Sequence, residues 1–141
     1  MKTLKTLAAA LLVTLSVSAF AADGSKSEKL EMNYALKTYI DALTRGKIAP
    51  LDEVLDKDVK FTTTRGAKIF NHTKAAMLHS LKGSEDVIYN CVTEFNVVES
   101  TPTMSLVKVI MKYDGFSKIN YVSLANTAKG WRITNVSTSV I

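Results

Sequence analysis

An α+β fold, with helices laid on one face of a curved antiparallel sheet, is what this sequence predicts. Two observations carry that expectation. Apolar residues recur at three- and four-residue steps over Ser27–Thr44, whereas after Gly83 they alternate with polar ones to the end of the chain. The alternating stretches are also separated by turn signals, the strongest being Asp114-Gly115, a two-residue hairpin connection. Helices early and a long meander late imply segregated α and β layers around one core.

The N-terminus stands apart from that fold. Lys2 and Lys5 precede an apolar run from Leu7 to Val17, and small residues at Ala19 and Ala21 complete the pattern of a secretory signal peptide. The run is too short for a membrane span, which needs about 20 residues. Cleavage is expected between Ala21 and Ala22, with secretion or periplasmic delivery and no membrane association afterwards. Residues 22–29 then read as a flexible leader and residues 30–141 as one domain.

Within the domain, Met32, Ala35, Leu36, Tyr39, Ala42 and Leu43 give the first helix its apolar stripe, and Gly46 ends it. A short helix over Ala49–Leu55 has Pro50 in its first turn. "DVKFTTT" and "AKIFN" read as strands, and Asn71 as the cap of a third helix, "HTKAAMLHSLK". Four strands follow, over Asp86–Glu99, Thr103–Tyr113, Phe116–Asn126 and Trp131–Val140. The expected order is α-α-β-β-α-β-β-β-β.

Composition narrows the function. The net charge of +5 falls to about +3 without the leader, and its lysines are scattered, which argues against a nucleic-acid partner. Cys91 is the only cysteine and lies in the alternating run "VIYNCVTEF", where it reads as a buried strand thiol, with an intermolecular disulfide or a reactive thiol as the alternative. No glycine-rich phosphate loop and no metal-ligand cluster is present, so neither a cofactor nor a metal is expected. His72 and His79 lie about 10 Å apart along a helix, too far to share one ion.

"VKVIMKYDGFSKINYVSLANTAKGWRITNV" resembles the last three strands of the nuclear transport factor 2-like (NTF2-like) superfamily, most closely the branch described as "putative lumazine-binding". "YIDALTRG" and "LDEVLDKDVKF" resemble that superfamily's first helices and first strand, so the likeness spans about Leu30 to Val140. It implies a cone: a bent sheet roofed by three helices, with a pocket at the wide end.

Tyr39 then has two readings, a core tyrosine or a pocket hydrogen-bond donor. The resemblance to ketosteroid isomerases of this superfamily would make it an oxyanion donor. Where those enzymes carry a carboxylate base, however, this chain has Thr62, Thr63 and Thr64, and its later strand offers Asn120 or Tyr121 in place of an acid. Threonine at its ordinary pKa does not take a proton from carbon at neutral pH. Asp41, two residues from Tyr39 and therefore about 200° around the helix, is expected on the solvent side.

Alternation assigns the sheet faces. Val107, Val109, Met111 and Tyr113 should face the helices, with Tyr121 from the next strand and Trp131 as packing in the last. Tyr39, Phe61, Met111, Tyr113 and Tyr121 are thus the expected lining of an apolar, aromatic pocket, or else the filling of the core. The opposite, convex face, with Leu106, Ile110, Val122 and Leu124 rimmed by Lys108 and Lys112, is the expected surface for a homodimer. The leading expectation is non-catalytic binding of a small apolar or heterocyclic ligand. An enzyme of the isomerase, cyclase or dehydratase kind and a homodimeric interaction module stay open beside it.

Overall fold

The computed structural model describes residues 30–141; the expected signal peptide, its cleavage site and the leader to residue 29 lie outside the described residues. Helix α1 spans Met32–Arg45, α2 Leu51–Val54, strand β1 Leu55–Arg65, β2 Lys68–Thr73 and α3 Lys74–Leu81. After a 3-10 turn at Lys82–Ser84 come β3 (Cys91–Ser100), β4 (Met104–Tyr113), β5 (Phe116–Thr127) and β6 (Gly130–Val140). This is the expected element order.

The six strands form one curved sheet in the order β2-β1-β6-β5-β4-β3. The sheet is mixed, which corrects the all-antiparallel expectation. β1 runs parallel to β6, while every other neighbouring pair is antiparallel. A parallel pair needs a long crossover, and here everything from β2 to β5 supplies it. Register shifts between Leu55 and Lys60, Val97 and Glu99, and Ser123 and Leu124 put irregularities in three strands, and such irregularities bend and coil a sheet.

α1 lies across the inner face and buries Ala35, Leu36, Thr38, Tyr39, Ala42 and Thr44. Beneath it, cross-strand partners Phe61, Val136, Val122 and Val107 form one buried row. The next row holds Thr138, Asn120 and Val109. Asn120 is buried because its amide is satisfied: Thr138 Oγ1 donates to Oδ1 at 2.7 Å, Tyr39 donates a longer bond at 3.5 Å, and Nδ2 donates to the Val109 carbonyl at 3.3 Å.

Asn120, Val122 and Leu124 point inward, so β5 presents the face opposite to the one expected from alternation. Tyr121 is consequently on the outer face and 40% exposed. Both candidate sets on β5 are apolar enough to be core, and hydrogen bonding hides Asn120's polarity. Val122 and Leu124 therefore leave the convex patch. On β6 the shift beside Ser123 lets Ile133 and Val136 both face the core, with Trp131 packed against it.

The third helix starts later than expected. Asn71 and His72 belong to β2, and Thr73 is the cap, accepting the Ala76 amide at 3.2 Å. The Lys74 ammonium then ties α3 to the α2–β1 junction, 3.0 Å from the Asp52 carboxylate and 3.1 Å from the Leu55 carbonyl.

Candidate functional site

The helical cover stops one strand short of the sheet's edge. Val107 and Val109 on β4 are fully buried, but their inward-facing partners on β3, Val97 and Phe95, are 44% and 55% exposed. β3 is the edge strand, and α1 packs chiefly over β6, so a trough is left between the flank of α1 and the inner side of β3. Curvature opens the space, and the rigid core beneath fixes it.

Two clefts occupy that trough. The first, of about 330 Å³, is walled by Leu36 and Ile40 of α1 and Thr93 and Phe95 of β3, with Asn33 and Lys37 at its rim. The second, of about 380 Å³, is lined by Ile40, Asp41, Thr44, Arg45, Ile88, Tyr89, Cys91 and Thr93. They adjoin at Ile40 and Thr93, so one groove runs from an apolar half into a polar half. Its size suits one small molecule.

The polar half exists because the loop before β3 folds back onto the end of α1. Gly46 adopts φ +64°, and its carbonyl accepts the Asp86 amide at 3.0 Å. Tyr89 N–H donates to the Thr44 carbonyl at 2.9 Å. This docked loop walls in Asp41, whose side chain is only 16% exposed rather than free in solvent as its helical position implied. Arg45 Nη1 lies 3.8 Å and Lys47 Nζ 3.9 Å from its two oxygens.

Tyr113 adjoins this half as the cross-strand partner of Cys91. Its ring stacks on Phe116 at 4.7 Å and meets Tyr89 edge-on at 6.4 Å, and the Lys118 ammonium lies 5.5 Å from its centre. Burial, then the neighbouring Cys91 and Tyr89, push its phenol up from near 10 to about 12. Burial, then Tyr113, raise the Tyr39 phenol above the ordinary tyrosine range. Both keep protons in the folded state that the unfolded chain has already released, so stability falls as pH rises through 10 toward 12. The melting temperature should therefore drop from about pH 10 upward, and Tyr113→Phe should remove part of that drop. A Tyr113→Phe protein with the same alkaline slope would contradict the assignment.

Of the five residues expected to line a pocket, Tyr39, Phe61 and Met111 are buried in the central core. Tyr121 is on the outer face, Met111 pairs across the strands with the groove residue Thr93, and Tyr113 meets Tyr89 edge-on. The groove residues that sequence reasoning passed over are Ile40, Ile88, Tyr89, Thr93 and Phe95. The available signal was the alternation Cys91, Thr93, Phe95, which marks one face of β3, but nothing in it shows that this strand lies at an edge. Among the described residues, no group of three or more His, Cys, Asp or Glu side chains is placed to hold a metal, and no helix is long and apolar enough to cross a membrane.

Residues 27–137 match the family described as "Putative lumazine-binding". No curated protein matches the chain. Among solved structures, an NTF2-like protein of unknown function from Silicibacter pomeroyi DSS-3 is similar at a TM-score of 0.68 and 14% identity, over 84% of this chain and 98% of that one. A second, from Methylobacillus flagellatus KT, gives 0.66 and 16% over 89% and 96%. A ketosteroid isomerase-like protein from Erwinia carotovora atroseptica gives 0.58 and 17% over 81% and 97%. At these identities the likeness is one of fold.

Proposed function

This chain belongs to the "Putative lumazine-binding" family of the NTF2-like superfamily, and from that premise we propose that it binds a small, flat, partly apolar heterocycle in the groove between α1 and β3 without transforming it. The observation that carries the proposal is the exposed Phe95 facing Leu36 and Ile40 across an apolar cleft. A half-exposed aromatic at the mouth of such a cleft offers a flat stacking surface. The family description supports a heterocycle as occupant. A binding role is supported by Asp41, the carboxylate of the groove, being held between two cations rather than paired with a histidine. The signal-like N-terminus supports action in the periplasm or outside the cell, and the intact mass of the exported protein tests this directly.

Phe95→Ser is the economical test. Phe95 is too exposed to contribute much to the core, so the substitution should change stability by under about 1 kcal/mol. Affinity for lumazine, followed by its fluorescence, should fall at least about tenfold. Unchanged affinity, or turnover of the heterocycle by the unaltered protein, would overturn this reading.

We also propose that two copies pair through the outer sheet face. With Val122 and Leu124 in the core, the outer apolar residues are Val92, Leu106, Ile110, Ile119 and Tyr121. Beside them β4 carries Lys108 and Lys112, and β3 carries Glu94 and Glu99, with Lys112 and Glu94 bonded at 2.9 Å. A two-fold axis through this patch sets a basic row against an acidic one, a self-complementary pattern. Light scattering should give twice the chain mass, and Ile110→Asp should halve it. A strict monomer at high concentration would refute the pairing.

A further inference from the structure

We propose that the polar half of the groove reads the –NH–C(=O)– edge of a planar lactam or cyclic ureide, with Asp41 accepting the N–H and Arg45 donating to the adjacent carbonyl. This rests on the groove being a ligand site. The first observation is that the Asp41 carboxylate, though mostly buried, accepts no side-chain hydrogen bond from any described residue. Its cationic neighbours sit at 3.8 and 3.9 Å, beyond the 2.7–3.2 Å of a formed bond. The lone pairs that face the cleft are therefore open to a donor, and a carboxylate accepts more strongly than a neutral carbonyl.

The second observation is spacing. Asp41 and Arg45 are four apart on one turn of α1 and both line the second cleft, so an acceptor and a donor stand side by side. That pair complements a cis-amide edge, in which a ring N–H and a ring carbonyl are adjacent. Charge excludes the simpler ligands. Two cations, Arg45 and Lys47, flank the one carboxylate, so an ammonium group meets their repulsion and a free carboxylate placed against Asp41 meets that of its oxygens. A neutral group that donates and accepts at once meets neither penalty.

The rest of the groove fits such a molecule. Ile88 and Tyr89 flank the polar edge, and Ile40 and Thr93 lead into the apolar half, where Leu36 and Phe95 take the far side of the ring system. Recognition by a buried polar group is selective because an analogue lacking the donor leaves that group desolvated and unpaired.

The experiment compares lumazine, whose pyrimidinedione ring carries this edge, with its N1,N3-dimethyl derivative by titration calorimetry, on the unaltered protein and on Asp41→Ala. The expected result has three parts. The unaltered protein binds lumazine at least about tenfold more tightly than the dimethyl compound. Asp41→Ala loses about that factor for lumazine. It does not weaken binding of the dimethyl compound, because no partner of that compound is lost and an unpaired buried carboxylate is removed, whereas a merely structural effect of the substitution would weaken both. Equal binding of both compounds by the unaltered protein overturns the edge recognition and leaves the groove standing as an apolar site. Binding of neither removes the groove reading, and this inference with it. The ligand comparison needs no variant, so poor folding of Asp41→Ala does not blunt it.

Discussion

Gly46→Ala should lower stability by about 3 kcal/mol or more, a fall of roughly 10 °C in Tm for a domain of this size. Two independent causes act at that position. The backbone holds φ +64°, where a side chain raises the energy by about 1–2 kcal/mol. A Cβ there would also meet three backbone atoms, Ser84 O at 2.3 Å, Asp86 N at 2.5 Å and Val87 N at 2.6 Å, none of which can rotate away. The loop from Ser84 to Tyr89 would have to lift off the end of α1. Because that loop supplies Ile88 and Tyr89 to the groove, lumazine binding should weaken together with stability. Gly83→Ala is the control: no atom lies within 4 Å of its added Cβ, and its φ is ordinary. It should leave Tm and affinity almost unchanged. A Gly46→Ala protein that melts with the parent would show that the loop is not docked as described.

Asn120→Ala should cost about 3 kcal/mol as well, but through the core and without touching the groove lining. Removing the amide strands the Thr138 hydroxyl, the Tyr39 phenol and its own bond to the Val109 carbonyl. Each buried group left unpaired costs about 1–3 kcal/mol, and a small cavity adds to this. Tyr39→Phe removes only the 3.5 Å bond, the weakest of the three, so its cost should be about 1 kcal/mol or less. Denaturant unfolding of the two variants ranks them. If Tyr39→Phe proves as costly as Asn120→Ala, the amide is not the centre of this network.

These two positions also show what the sequence could and could not reveal. The hairpin at Asp114-Gly115, the stripe along α1 and the four alternating strands are local patterns, and they predicted the fold and the element order. The inward direction of Asn120 is not local, because its partners Thr138 and Tyr39 lie 18 and 81 residues away. The parallel pairing of β1 with β6 is likewise a property of how the chain returns, not of either strand. Asp41 looked solvent-facing because helical geometry counts only the sheet beneath the helix, whereas the loop held at Gly46 covers its other flank. Phe95 was visible as a strand residue, but its exposure follows from β3 lying at an edge beyond the reach of α1.

The groove between α1 and β3 is the centre of this account, and an amide spectrum of isotope-labelled protein titrated with lumazine tests it most directly. The resonances of Ile40, Asp41, Thr93 and Phe95 should shift in proportion to occupancy, while those of Ile119 and Tyr121 on the outer strand face stay in place. Shifts confined to the outer face, or none at saturating lumazine, would contradict it.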